Sequence, residues 1–425
     1  MYIYIYLYKL WQMDLFKGGA MKRFLRYALY GLIGIVAIAG VGTAVFWKKI
    51  HETWAVYQYA QLFKPAHIFE NFRSLYKIYP SVRIPREGEV SPLPKAERPL
   101  PETFVYKGET RKISDWLQRG GTTGFIVLKD GVIVHEEYRH GNTEATQAIA
   151  FSVSKSVVSF LVGNAVRDGL IDINQPVDHY APVLAEGGYK GVTVKNVLQM
   201  ASGIGFNENY GDLSSDIVRY AVELLTGSIT SFTAHLKNAR PQGTLSHYVS
   251  ADTQVLGLVL EGATGVPFQD YLKDKLWSKL GAEADVYWAV DPQGEAAASA
   301  GMNAVLRDYA RFGLLYLNEG RNFKGEQLVP AQWVHDSITP DAPYLMPGRK
   351  DALGKIPFGY GYQWWTPVDW QGDYSAVGIY GQFIYVNPAK GVVIAKTSAQ
   401  ASFNVDGQDM KDESMHAFQA IANAL

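Results

Sequence analysis

A serine and a lysine stand three residues apart in Phe151-Ser152-Val153-Ser154-Lys155-Ser156. Residues i and i+3 of a helix share a face, so the Lys155 amine can reach the Ser152 hydroxyl. A lysine that has lost its proton turns such a serine into a nucleophile. That state needs a pKa lowered by burial or by neighbouring positive charge. Val157, Val158, Phe160, Leu161, Val162, Ala165 and Val166 follow at helical spacing, and Arg167-Asp168-Gly169 ends the run. The unpaired N–H groups at the start of that helix favour negative charge developing there. The chemistry these features suit is acyl transfer.

The same spacing recurs at Ser74-Leu75-Tyr76-Lys77, where no helical run follows, and we read that copy as chance. The plain alternative for Ser152 is a helix N-cap with a solvated lysine one turn on. Acyl transfer needs two further parts, a second proton shuttle and an oxyanion hole. Tyr248 stands between a Pro241-Gln242-Gly243 turn and an apolar helix expected to start at Thr253. Ala376-Val377-Gly378-Ile379-Tyr380-Gly381-Gln382 opens a strand whose glycines allow a substrate close to its edge. The backbone N–H of Gln382 is placed to point at that substrate. Asp252 reads as an N-cap, His247 as a surface residue, and Asn207, Glu208 and Tyr210 as a solvated loop ahead of a substrate contact.

The elements that must position these groups begin near Phe104. Ile113–Arg119 suits a short helix, and residues 123–128 and 132–136 a hairpin around Lys129-Asp130-Gly131. Residues 170–300 read as mostly helical. Residues 253–263, 268–280 and 302–318 follow the helical period, whereas 360–365, 382–386 and 392–396 read as strands and 418–425 as a closing helix. The order implies an α+β fold, an antiparallel sheet flanked by helices with a helical inserted subdomain over about 170–300. The expected organisation is an N-terminal segment 1–26, a transmembrane helix 27–47, a juxtamembrane and proline-rich linker 48–103, and a catalytic domain 104–425.

The transmembrane expectation rests on an uncharged run, Tyr27 to Trp47, edged by aromatics and flanked by Lys22, Arg23, Arg26, Lys48 and Lys49. An uncleaved anchor with the catalytic part outside the cytoplasm is the favoured reading, and a cleaved signal peptide its competitor. Met21 reads as an alternative start. The formal net charge of −1 and the absence of a basic stripe exclude a nucleic-acid partner. With no cysteine and no H-E-x-x-H, neither a thiolate site nor a metal is expected, and no cofactor is called for. Twenty-seven tyrosines and ten tryptophans suit an aromatic cleft or an aromatic core.

Taken together, Phe-Ser-Val-Ser-Lys-Ser at 151–156, Leu-Gln-Met-Ala-Ser-Gly-Ile at 198–204, the Tyr248 segment, Arg307-Asp308-Tyr309-Ala310-Arg311-Phe312-Gly313 and Gly381-Gln382 resemble a known family. The chain is similar, from about Thr123 onwards, to penicillin-recognising serine hydrolases of the class C β-lactamase type. Within them it most resembles the 6-aminohexanoate-dimer hydrolases and related esterases. The resemblance implies a Ser152 nucleophile, general acid–base work by Lys155 and Tyr248, and an oxyanion hole from the backbones of Ser152 and Gln382. It implies substrate contact by Ser250, Ile379, Tyr380 and Gly381. Two departures narrow the substrate. The family's Tyr-x-Asn is Tyr248-Val249-Ser250, and its Lys-Thr-Gly is Ile379-Tyr380-Gly381. A serine lacks the paired amide donor and acceptor, and an isoleucine cannot hold a carboxylate. A neutral ester or small amide is therefore expected, ahead of a β-lactam or a D-alanyl peptide. A non-catalytic binding module on the same fold is the remaining alternative.

Overall fold

The structure is a computed structural model that describes residues 19–348 and 358–425. The expected N-terminal segment falls largely on residues 1–18, which lie outside the described residues. The chain divides into two units, residues 1–55 and 56–425.

The first unit is helical from Gly19, in a helix whose bounds are Gly19–Leu62. The expectation of a membrane span at 27–47 is corrected here. Among the described residues, no helix is long and apolar enough to cross a membrane. The expected membrane anchor falls with that span, and with it the membrane as a partner and the extracytoplasmic placement.

The second unit is built on a seven-stranded antiparallel sheet. Its strands are β1 (Thr122–Lys129), β2 (Val132–Tyr138), β3 (Gly359–Tyr360), β4 (Trp365–Thr366), β5 (Tyr374–Gly378), β6 (Gln382–Asn387) and β7 (Val392–Ser398). They lie in the order β2-β1-β7-β6-β5-β4-β3, so the first and last strands in sequence are neighbours near the middle. The helices used below are α1 (Ile113–Arg119), α2 (Ser154–Arg167), α3 (Ser250–Thr264), α4 (Leu306–Leu317) and α5 (Phe403–Ala424).

Alternation along the strands divides the core. Phe125 and Val127 of β1, Phe383 and Tyr385 of β6 and Ile394 of β7 join Trp116 of α1 and Phe418 of α5. Ile126, Leu128, Ile384, Val386, Val393 and Ala395 face the opposite way and join Phe312 of α4, together with α2 and α3. Gly313 lets α4 press on the sheet: a Cβ there would lie 2.5 Å from Val393 Cγ1. A smaller antiparallel sheet joins Ser81–Ile84, Val286–Ala289, Met302–Ala304 and Ala148–Ile149.

The α+β layout and the β1–β2 hairpin agree with expectation. The differences are local. The helix expected at 302–318 starts with a strand, Met302–Ala304, before α4. The single strand expected at 360–365 is two short strands, with Gln363 at φ +64 between them. The last helix begins at Phe403, well before residue 418. Asp252 is no cap: it lies inside α3, fully buried.

The segment before the sheet wraps the core. Ile68, Phe72 and Leu75 are buried, and residues 94–98 run beside β2 with Ile133 N–H donating to Pro94 O at 2.8 Å. A four-residue helix does follow Ser74, against expectation, but Lys77 on it is exposed, so that copy of the spacing builds no buried pair.

Candidate active site

Ser152 sits in a 3-10 turn, Phe151–Val153, that leads directly into α2. Phe151, just before it, has φ +46, a conformation that costs a non-glycine residue ~1–3 kcal/mol. Surrounding bonds impose it. Ala150 N–H donates to Met302 O at 2.9 Å, and Met302 N–H donates to Ser154 Oγ at 3.1 Å. One turn on, Ser156 Oγ donates to Gln363 O at 2.7 Å. The start of α2 is thus tied to the smaller sheet on one side and to the β3–β4 turn on the other.

The Lys155 Nζ donates to Ser152 Oγ at 3.0 Å and to Ser299 O at 2.7 Å, and the side chain is 1% exposed. Burial brings its pKa down to about 7, with Glu208 and Asp252 acting the other way. Ser299 is fixed in turn from α3. Gln254 Nε2 donates to Ala296 O, Tyr220 OH donates to Gln254 Oε1, and Ser299 Oγ donates to Tyr220 OH.

Tyr248 reaches the same place from the segment before α3. The Lys155 Nζ lies 5.3 Å from its ring centroid. Burial, and then the Glu208 carboxylate, hold its phenol well above the ordinary value, while the nearby Ser152 hydroxyl acts in the opposite direction. Its ring stacks on Trp365 at 5.4 Å and meets Tyr360 edge-on at 6.3 Å.

These groups open into a cavity of about 1150 Å³. Ser152 and Tyr248 are on its wall with Tyr344, Phe358, Tyr360, Trp365 and Phe403, so much of the lining is aromatic. Lys411 of α5 places its ammonium over Phe358 and Trp365, at 4.1 and 4.0 Å from the ring centroids. The strand edge supplies Gly378, Ile379 and Gly381. Gly378 permits the approach: a Cβ there would stand 2.3 Å from Ala150 O, beside the nucleophile turn. Among the described residues, neither Ser152 N–H nor Ile379 N–H donates to a protein acceptor.

Ser152, Lys155, Tyr248, Ile379 and Gly381 are therefore brought together. Ser250, Tyr380 and Gln382 are not on the cavity wall. Ser250 directs both donors at one carboxylate, its N–H to Glu208 Oε2 at 3.0 Å and its hydroxyl to Glu208 Oε1 at 2.5 Å. Tyr380 turns away and stacks on Phe63 at 5.0 Å. The Gln382 side chain clamps the turn, donating to Ser398 O at 2.7 Å and to Ile379 O at 3.2 Å and accepting from Ser398 N–H at 3.0 Å.

Glu208 read first as a solvated loop residue and only second as a substrate contact, and its pairing with Ser250 was not foreseen; it lines the cavity and also accepts from Tyr210 OH. Its partners are 2 and 42 residues away, and only folding pairs it with Ser250. His247, expected at the surface, also lines the cavity and meets Phe206 O through Nε2 at 3.0 Å. Among the described residues no cluster of His, Cys, Asp and Glu could hold a metal.

Residues 112–417 match the family described as Beta-lactamase. The chain is 29% identical over 371 residues to the 6-aminohexanoate-dimer hydrolase of Paenarthrobacter ureafaciens, covering 85% of this chain and 89% of that one. Its fold is similar to that of a protein described as a 6-aminohexanoate-dimer hydrolase from Bacillus anthracis, with TM-score 0.75 and 21% identity over 85% of this chain and 95% of that one. It is also similar to a family VIII carboxylesterase, with TM-score 0.56 and 17% identity over 73% of this chain and 95% of that one.

Proposed function

The chain belongs to the beta-lactamase family, and from that premise we propose that it is a serine hydrolase that cleaves an ester or amide through an acyl-enzyme. The observation that carries the reading is the buried contact of 3.0 Å between the Lys155 Nζ and Ser152 Oγ. Ser152 Oγ attacks the substrate carbonyl carbon as Lys155 takes its proton. Burial favours the neutral form of both groups, lowering the pKa of Lys155 and raising that of Tyr248, which supports Lys155 as the base and Tyr248 as a protonated relay. The oxygen that becomes negative is met by backbone N–H groups. Those of Ser152 and Ile379 suit that role better than that of Gln382, which is absent from the cavity wall. As the tetrahedral intermediate collapses, Tyr248 gives its proton to the leaving oxygen or nitrogen and is reprotonated from Lys155. Water then attacks the acyl-enzyme by the same steps in reverse order.

The aromatic wall and Ile379 favour a substrate with an apolar acyl or leaving group. The names of the relatives, a 6-aminohexanoate-dimer hydrolase and a carboxylesterase, support a hydrolytic reaction of this kind. A non-catalytic module would have no use for a buried amine against a serine hydroxyl, which weighs against that alternative. A fluorophosphonate probe is expected to label the protein at Ser152. Labelling that persists in Ser152→Ala would refute the proposal.

A further inference from the structure

A second lysine is buried near the site and takes no part in the chemistry above. Lys396 of β7 is 2% exposed. Its Nζ donates to Gly381 O at 3.3 Å and to Ser398 Oγ. The rings of Trp116 and Phe383 lie 5.5 and 5.7 Å away. Among the described residues, no carboxylate pairs with it. Burying an ammonium without a counter-ion costs several kcal/mol, so its retention asks for a use.

The place of its contacts suggests one. Gly381 is on the cavity wall, in the turn that joins β5 to β6. Tyr380 has φ +61, a costly conformation for a non-glycine residue, so the turn is strained and must be held. Gln382 holds it from one side through Ile379 O, and Lys396 from beneath through Gly381 O. We propose that Lys396 is a positioning residue that, as an ammonium, locks the 378–382 turn against Ser152 and adds a fixed positive charge behind the developing oxyanion. The idea rests on the acyl-transfer reading of the site.

The consequence is a pH dependence of its own. Burial brings Lys396 down to about 7, and Arg139 at the end of β2 pushes the same way. Arg139 is paired with Glu137. From α5 the inward carboxylate is Glu413, and it is taken by Arg111 and Arg119. From α1 the facing group is the uncharged Trp116 ring. Charged Lys396 is lost as pH rises through that value, whereas neutral Lys155 is gained as pH rises through its own. Turnover then passes through a narrow maximum near neutrality, with Lys396 setting the descending limb.

The test is kcat/KM against pH for a short-chain nitrophenyl ester, paired with fluorophosphonate labelling rates and thermal melts of the full chain. In Lys396→Met the descending limb is expected to disappear while the ascending limb stays, with about a tenfold lower maximum. A folded Lys396→Met that keeps the wild-type descending limb overturns the proposal. Should that variant fail to fold, Ser398→Ala removes one acceptor of the ammonium. The descending limb should then move to lower pH by about one unit, and an unmoved limb is equally decisive. Failure of the wild-type protein to label at Ser152 would instead overturn the acyl-transfer reading, so the two failures are distinguishable.

Discussion

At the scale of the residue, the site turns on which groups hold protons near neutral pH. Lys155 serves as a base only when neutral, and its pKa is drawn down to about 7. kcat/KM is therefore expected to rise as pH passes through about 7. Lys155→Met should remove that limb and cost about 10²–10⁴ in rate. An ascending limb unchanged in that variant would assign it elsewhere. The Ser152–Lys155 pair was legible in the sequence because both residues belong to one local turn, where spacing alone decides contact. Tyr248 was legible only through the order of several motifs. Glu208, Ser299 and Lys396 were not, since each acts through partners that tertiary folding supplies. Ser250 illustrates the limit from the other side. Its position was read as substrate contact, but a carboxylate unseen in the local sequence claims both of its donors.

At the scale of the element, two glycines mark where backbone surfaces meet, and they should fail differently. Gly378 lets β5 lie against the nucleophile turn, with Ala150 O in the space a Cβ would need. Gly378→Ala should force strand and turn apart and lower the labelling rate of folded protein at least tenfold. Gly313 lets α4 lie on β7 and is not on the cavity wall. Gly313→Ala should cost about 1–3 kcal/mol of stability from overpacking, with labelling per folded molecule unchanged. Denaturant melts and labelling rates on both variants test the contrast. Equal effects of the two on labelling would show that the approach of β5 is not what positions Ser152. The strands themselves were readable, being short apolar runs bounded by Asp-Gly and Asn-Pro turns. Their order was not, because nothing local reveals that β7 returns to pair with β1.

At the scale of the whole second unit, the segment from residue 56 to α1 lies almost wholly before the matched family span, yet it reaches the site. Phe72 meets Phe151 edge-on at 5.1 Å and Tyr380 at 5.3 Å, and Phe63 stacks on Tyr380 at 5.0 Å. Phe151 and Tyr380 are both non-glycine residues with positive φ, so the wrapping segment presses on two strained points beside the nucleophile. Phe72→Ala should cost about 3–5 kcal/mol and lower kcat more than it raises KM, with Phe72→Leu recovering most of both. Loss of stability with kcat per folded molecule intact would reduce the segment to simple cover. In the sequence residues 50–80 read as an aromatic, amphipathic stretch near the membrane and 80–103 as a proline-rich linker or wrapping arm, and nothing local in either says which side chains it would cover.

The pairing of β1 with β7 also sets a schedule. Thr123 Oγ1 donates to Thr397 Oγ1 at 3.0 Å across 274 residues of sequence. The serine and its lysine leave the ribosome early, in the first half of the chain. The strand edge that would cradle the reacting carbonyl leaves it only near the end. No nascent polypeptide that stops short of β7 contains the complete sheet, so a translating ribosome carries the nucleophile for most of synthesis without an assembled site around it.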